Sequence, residues 1–308
     1  MMTALCMNPS FDKTVEVDAV TVGAVNRIRK SRIDLGGKGV NVARVVRRFG
    51  QKAGCLVIAG EDHAGRVREA LARDEIGCSL LSVPGAVRTN TKIVSLDGQP
   101  VTELNEPGPL VDGQALQSFK EMVSAAVKPE DWCVLTGSLP PGCPRGTYRD
   151  LMHTMKSARC ILDASGEELL LGLEARPWLA KPNRDELRDT LGIPLGCVSD
   201  VHQAAKQLLE RGARHVIVSM GSEGALLATP EGAWFAPCVD VKVSSTVGAG
   251  DAMVGGLLCG MQTHDDIVEA FSWAVAAGTA SVMTEGTQLI CAEDFYAILP
   301  RVRVQRLS

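Results

Sequence analysis

The chain has 308 residues, 45% of them hydrophobic, with a formal net charge of −4 and a pI near 5.8. That is enough apolar material for a full core in one large or two modest domains, and the acidic balance argues against a nucleic-acid surface while leaving local basic clusters free to hold a small anion. Ten cysteines are scattered without a C-x-x-C pair, no run reaches the roughly 18 apolar residues of a membrane span, and the N-terminus lacks the basic start of a signal peptide, so a soluble cytoplasmic protein without zinc or redox motifs is expected.

In chain order, residues 3–7 read as a short buried strand broken by Asn8-Pro9-Ser10. The alternation of Val15, Val17, Val20 and Val22 predicts half-buried antiparallel strands over 14–25. Leu35-Gly36-Gly37-Lys38-Gly39-Val40-Asn41 then opens a segment with Val42, Val45, Val46 and Phe49 at helical spacing, and Gly50 closes it. A strand over 53–59 and a charged helix over 63–74 complete a β-α-β unit. From 79 to 104 no helix is predicted, and residues 93–96 and 101–104 around Asp97-Gly98 read as a hairpin.

Alternation then resumes with helices over 112–127, 145–157, 166–173, 184–190 and 199–211, between strands at 132–136, 159–163, 178–180 and 214–219. A hairpin-like pair (224–228 and 232–235) and a β-branched, strand-like approach through Val239, Val241 and Val243 precede a mostly helical tail. Repeated strand–helix alternation predicts an α/β fold, a doubly wound, mainly parallel sheet covered by helices on both faces. We expect one domain over 1–308, whose strand-rich insertions at about 13–34 and 88–105 pair into a small β-sheet lid.

The motifs fall at strand ends and helix starts. Thr246-Val247-Gly248-Ala249-Gly250-Asp251 lets backbone approach a ligand where the first amides of a helix lack internal partners. That is an anion site beside a carboxylate, or a glycine-rich helix start with an ordinary capping Asp. Gly36-Gly37-Lys38-Gly39-Val40-Asn41 fits sugar hydroxyls, a sugar phosphate or a tight turn. It is neither a Walker A loop nor a G-x-G-x-x-G dinucleotide fingerprint. Gly137-Ser138-Leu139-Pro140-Pro141-Gly142 follows a strand, as ligand-touching loops and plain chain reversals both do. Asn183 and Glu186, three apart, fit a capping box or a hydrated Mg²⁺. Ser219-Met220-Gly221-Ser222-Glu223-Gly224 also follows a strand. If the insertions form a lid, Arg27, Arg29 and Arg88 face the cleft, where a guanidinium fork grips phosphate.

In this order, with Asn8-Pro9-Ser10-x-Asp12 at the start, the motifs resemble the ribokinase-like phosphofructokinase-B family of sugar kinases over essentially the whole chain. The stretches Thr102–Pro109 and Trp178–Asn183 place the resemblance nearest the branch acting on ketohexose monophosphates. The resemblance implies Asp251 as general base, with the amides of Gly248, Ala249 and Gly250 steadying the transferring phosphoryl group. It implies Asn183 and Glu186 organising Mg²⁺ through water, and Lys181, Asn183, Ser219, Gly221, Gly224 and Thr246, together with Gly248 and Gly250, lining the ATP site. Asp12, Gly37 and Asn41 would hold sugar hydroxyls, and Arg27, Lys38 and Arg88 the acceptor's own phosphate, with Ser138 nearby. The Ala252 after Asp251 departs mildly from relatives that carry Ser.

The expected reaction is therefore ATP- and Mg²⁺-dependent phosphorylation of fructose 1-phosphate. Glu285-Gly286-Thr287-Gln288 resembles instead a 6-phosphofructokinase branch, so fructose 6-phosphate and tagatose 6-phosphate stay open as acceptors. A non-catalytic sugar-phosphate binder is the alternative outside enzymes, and it has no need of a base at Asp251. No nucleic-acid or membrane partner is expected, and a homodimer through the lid is.

Overall fold

Short apolar runs ending in a polar residue become the buried strands of the computed structural model, which describes residues 1–155, 157–284 and 290–307. The Glu285-Gly286-Thr287-Gln288 motif lies outside the described residues. The chain enters with β1 (Met2–Cys6), leaves for β2 (Ser10–Val17) and β3 (Lys30–Gly36), and returns through α1 (Lys38–Arg48), β4 (Ala53–Gly60), α2 (Ala64–Arg73) and β5 (Gly77–Val83). A second excursion makes β6 (Arg88–Ser95) and β7 (Thr102–Asn105) before α3 (Gly113–Ala126), β8 (Trp132–Thr136), α4 (Thr147–Thr154), β9 (Arg159–Asp163) and α5 (Gly166–Leu173). Next come β10 (Leu179–Ala180), α6 (Arg184–Leu191), α7 (Val198–Glu210), β11 (His215–Ser219), β12 (Ala225–Thr229) and β13 (Gly232–Ala236). The chain closes with α8 (Ala249–His264), α9 (Ile267–Val282), α10 (Ala292–Ile298) and β14 (Gln305–Arg306).

Among the described residues the strands form a ten-stranded sheet, ordered β14-β13-β12-β11-β10-β9-β8-β1-β4-β5, and a four-stranded sheet, ordered β3-β2-β6-β7. From β11 to β5 every neighbour is parallel. Apolar side chains alternate between two cores. Helices α1, α2, α8, α9 and α10 cover one face, and α3 to α7 cover the other.

This alternation aims the site. Val134, Ile161 and Leu179 belong to the core under α1 and α8, so Thr136, Asp163 and Lys181, two residues further on, project to the same side. Three polar side chains thereby meet outside the carboxyl ends of adjacent parallel strands, where ligands bind in open α/β sheets.

Several expectations need correction. The strand predicted across 14–25 stops at Val17 and resumes at Lys30. Between them Asn26 closes a turn by accepting from Thr21 N and donating to Thr21 and Ala24 carbonyls, which leaves Val20, Val22 and Val25 exposed. The small sheet is mixed: β2 pairs antiparallel with β3 but parallel with β6. The approach at 239–243 is irregular. β14, which lay unrecognised in the tail, pairs instead with the outer edge of β13 at Trp234 and Phe235. β5 was also missed, because an edge strand half open to solvent lacks a continuous apolar run. Among the described residues no helix is long and apolar enough to cross a membrane.

Candidate active site

Asp163 is the centre of the strand-end cluster. Its carboxylate is buried, 3.0 Å from Lys181 Nζ and 3.3 Å from Lys38 Nζ, and it accepts from Thr136 Oγ1 at 2.6 Å. Burial works against its charge, yet Lys181, Lys38 and Thr136 hold it well below the usual carboxylate range. Asp163 in turn holds the Lys38 ammonium above its ordinary value. Lys181 lies beneath the glycine loop, since a Cβ built on Gly250 would stand 3.3 Å from its Nζ.

Gly248, at φ 82, turns the chain into α8, and no side chain caps that helix. Ala249 N donates to Thr246 O at 3.4 Å, and no side chain takes the other amides of the first turn among the described residues, which leaves them to an anion. Asp251, in that turn, is 5% exposed and accepts from Asn41 Nδ2 at 2.8 Å. The bond depends on how α1 and α8 pack. Asn41 and Val45 lie four apart on α1, and Asp251 and Gly255 four apart on α8, so each pair shares a helix face. A Cβ on Gly255 would come within 2.5 Å of Val45 Cγ1. The missing side chain lets the helices approach until amide and carboxylate meet. Burial and then the like charge of Asp163 push the Asp251 carboxyl up to about 7, against the pull of Asn41, Lys38 and Lys181. A carboxylate poised there suits a general base near neutrality.

A cleft of about 750 Å³ opens beside this cluster, lined by Asn8, Lys38, Arg88, the 137–143 loop, Arg145, Asp163, the 164–168 segment and Glu186. Of the cations lining it, Lys38 pairs with Asp163 and Arg145 with Glu168. Arg88 is different. Among the described residues its guanidinium bonds only neutral carbonyls, Asn8 O at 3.2 Å and Glu106 O at 3.3 Å. No carboxylate bonds it among the described residues, although Asp12 is close enough to act on its charge. The Ser138 hydroxyl stands in the same wall, in a loop pinned by the buried Tyr148, whose hydroxyl donates to Gly137 O at 2.8 Å.

Asn183 and Glu186 form a reciprocal capping box on α6, with Glu186 N donating to Asn183 Oδ1 and Asn183 N to Glu186 Oε2, both at 2.8 Å. Among the described residues no cluster of three His, Cys, Asp or Glu side chains offers direct ligation of a metal. Mg²⁺ that keeps its water and sits on nucleotide phosphates needs only one or two carboxylates. Glu186, in the cleft wall near Asp163 and with one carboxylate oxygen outside the cap, fits that need.

The structure thus brings Lys38, Arg88, Ser138 and Glu186 into one cleft, and joins Lys181, Gly250, Asn41 and Asp251 to it through Asp163. Gly37, at φ 117, starts α1 where a Cβ would press on Cys6 Sγ. Asp12 lies in β2, accepting from Ser10 Oγ at 2.7 Å and Asn90 Nδ2 at 3.3 Å, and it fits because Gly36 has no Cβ. Ser219 bridges to Asn183 at the neighbouring strand end. Gly221 and Gly224 adopt φ 57 and 113 in the turn that follows, while Thr246 and Ala249 belong to the entry to α8. None of these last residues lines the cleft. Arg27 is exposed on the 18–29 loop and does not line it either. Arg29, expected to face the cleft, instead forks onto Asp18 on the surface. Sequence reasoning passed over Asp163, and it placed Asn8 and Thr136 within motifs without giving either a role. The available signal for Asp163 was an acidic residue ending an apolar parallel strand.

A buried carboxylate at an amide-rich helix start, joined through Asp163 to a cleft of mixed charge at the carboxyl ends of a parallel sheet, is an arrangement suited to phosphoryl transfer. A family model described as pfkB family carbohydrate kinase matches residues 6–294. The 1-phosphofructokinase of Bacillus subtilis (strain 168) is 35% identical over 309 residues, covering all of both chains. That of Escherichia coli (strain K12) is 32% identical over 306 residues, covering 99% of this chain and 98% of the other. The crystal structure of phosphofructokinase-2 from Escherichia coli in complex with fructose-6-phosphate superposes with a TM-score of 0.90 at 27% identity, covering 97% and 98% of the two chains. The chain belongs to the pfkB family of carbohydrate kinases.

Proposed function

We propose that this kinase transfers the γ-phosphoryl group of ATP to D-fructose 1-phosphate, giving fructose 1,6-bisphosphate. The observation that carries a phosphorylated acceptor is Arg88, a cleft-lining guanidinium that bonds only carbonyls among the described residues. Relatives bearing the name 1-phosphofructokinase over their full length support fructose 1-phosphate as that acceptor.

Asp251, kept near neutrality by burial, takes the proton of the attacking hydroxyl, while Asn41 holds the carboxylate in place. The amides of Gly248, Ala249 and Gly250, with Lys181 beneath them, steady negative charge on the transferring group. Lys38 reaches the same space from α1, and Ser138 and Arg88 hold the acceptor phosphate. Asp12, Gly37 and Asn41 position the sugar. Arg27 serves the acceptor phosphate only if its exposed loop folds inward. Ser219, Gly221, Gly224 and Thr246 flank the nucleotide. Mg²⁺ bound through Asn183 and Glu186 by way of water would neutralise charge on the ATP phosphates.

The four-stranded sheet closes over a single kinase domain as a lid that excludes water. Exposed Val22, Val25, Ile28, Ile33, Val101 and Leu104 all belong to that sheet or its loops. Such an apolar surface favours burial against a second copy, hence a homodimer. The ten unpaired cysteines fit the reducing cytoplasm.

The test is ADP release from purified protein with Mg²⁺-ATP and fructose 1-phosphate, tagatose 6-phosphate, fructose 6-phosphate or free fructose. Highest kcat/KM with fructose 1-phosphate is expected, and preference for another phosphate reassigns the acceptor. Preference for free fructose would remove Arg88 from phosphate binding.

A further inference from the structure

We propose that Asn8 is the positioning residue of the acceptor site, tying together the separate segments that carry Arg88 and Ser138. This rests on the sugar-phosphate reading above. Asn8 lies where the chain passes from β1 in the large sheet to β2 in the small one. Residues 106–112 make another such crossing, from β7 to α3. Asn8 Nδ2 joins the two, donating to Pro107 O at 3.0 Å, and also reaches Ser138 Oγ at 3.3 Å. Its own carbonyl accepts from Arg88 Nε at 3.2 Å, and Arg88 also donates to Glu106 O at 3.3 Å. One residue therefore bonds the strap at 107, the loop at 138 and the guanidinium at 88, which are far apart in sequence and adjacent in the cleft wall.

The side chain is held at a cost. Asn8 is 6% exposed, and among the described residues its Oδ1 has no hydrogen-bond partner. An unsatisfied buried acceptor is destabilising, so an apolar residue would serve packing better. Gly108 takes φ 95, and a Cβ there would overlap Asn8 Oδ1, so the strap is shaped to this amide. A 200 Å³ inner cavity touches Cys6, Asn8, Lys38, Arg88, Thr136, Gly137 and Ser138, which places Asn8 on the wall shared by the phosphate-binding side chains. Since the same bonds join two crossings to the small sheet, Asn8 also sets where that sheet stands when the acceptor pocket is formed.

The experiment compares steady-state kinetics of the full-length enzyme, Asn8→Ala, Arg88→Ala and the double variant, with fructose 1-phosphate and ATP varied separately. For Asn8→Ala, the KM for fructose 1-phosphate should rise about tenfold, the worth of one lost hydrogen bond near a charged group, while the KM for ATP stays within about twofold. Asn8→Ala keeps the carbonyl that Arg88 Nε bonds and frees only the strap at 106–107, so in the Arg88→Ala background, where that strap has no guanidinium to place, the same change should matter far less. An unchanged acceptor KM, equal rises in both KM values or additive effects with Arg88→Ala would each overturn the assignment. If Asn8→Ala fails to fold, Asn8→Ser, too short to span both partners, carries the same expectations. A parent enzyme inactive on every sugar phosphate would instead sink the underlying reading, which distinguishes the two failures.

Discussion

Asn41 donates its amide to Asp251 across 2.8 Å, four residues along each helix from the point where Gly255 leaves room for Val45. The proposed base is thus set by helix packing as much as by its own loop. Enlarging Gly255 to Ala puts a Cβ 2.5 Å from Val45 Cγ1 and drives α1 from α8. Overpacking of this kind costs about 1–3 kcal/mol, and kcat should fall with the melting temperature. Val45→Ala in the same chain should restore most of both, and a double variant no better than Gly255→Ala would refute the wedge.

Asp251→Asn should lower kcat by several orders of magnitude with little change in nucleotide affinity, as loss of a proton acceptor requires. It should also stabilise the protein at pH 8. Burial pushes the native carboxyl up to about 7 from its ordinary value of 3.8, so the native state binds the extra proton between those values and its contribution is lost as pH rises through 7. Asparagine removes that cost. A melting temperature higher by at least about 2 °C is expected at pH 8, with a smaller difference at pH 5. A fall at pH 8 would show that the charge is not a burden to the fold.

Activity should decline below about pH 7 as Asp251 takes up its proton. Asp163→Asn removes a like charge and releases Lys38 and Lys181 from their shared partner. Both changes favour the Asp251 carboxylate, so the acid limb of the kcat/KM profile should move to lower pH whatever happens to its plateau. A limb that stays in place would uncouple the two aspartates.

Glu186→Gln tests whether the capping box also serves the metal. The amide oxygen still accepts from Asn183 N, so the melting temperature should change little. The Mg²⁺ concentration needed for half-maximal rate should rise several-fold, because the charge offered to the hydrated ion is gone. An unaltered Mg²⁺ dependence would leave the pair as a helix cap alone.

Much of this was legible in local sequence. β8 and β9 end at Thr136 and Asp163 as the apolar runs predict, and the glycine motifs announce themselves because positive φ or close approach excludes a side chain at Gly37 and Gly248. What local pattern cannot carry is partnership. Asp163 looks like a strand-ending turn residue until the sheet order sets Lys38, 125 positions away, beside it. Asn8 looks like a turn former until the strap at 107 returns to it. Arg29 was misjudged for the same reason, since nothing local reveals that Asp18 will claim it. The β-branched residues at 239–243 match a strand in type, but residue type does not supply a pairing partner, and the outer edge of β13 pairs with β14 instead.

The distribution of charge in the cleft governs how the enzyme responds to salt. The cleft lining carries both signs, with Lys38, Arg88 and Arg145 set among Asp163, Glu168 and Glu186. A cleft in which three cations are balanced by three carboxylates projects little field beyond the screening length of about 8 Å at physiological ionic strength. Acceptor capture is therefore governed by local fit more than by long-range attraction, and it tolerates changes in ionic strength that would disarm a broadly basic surface.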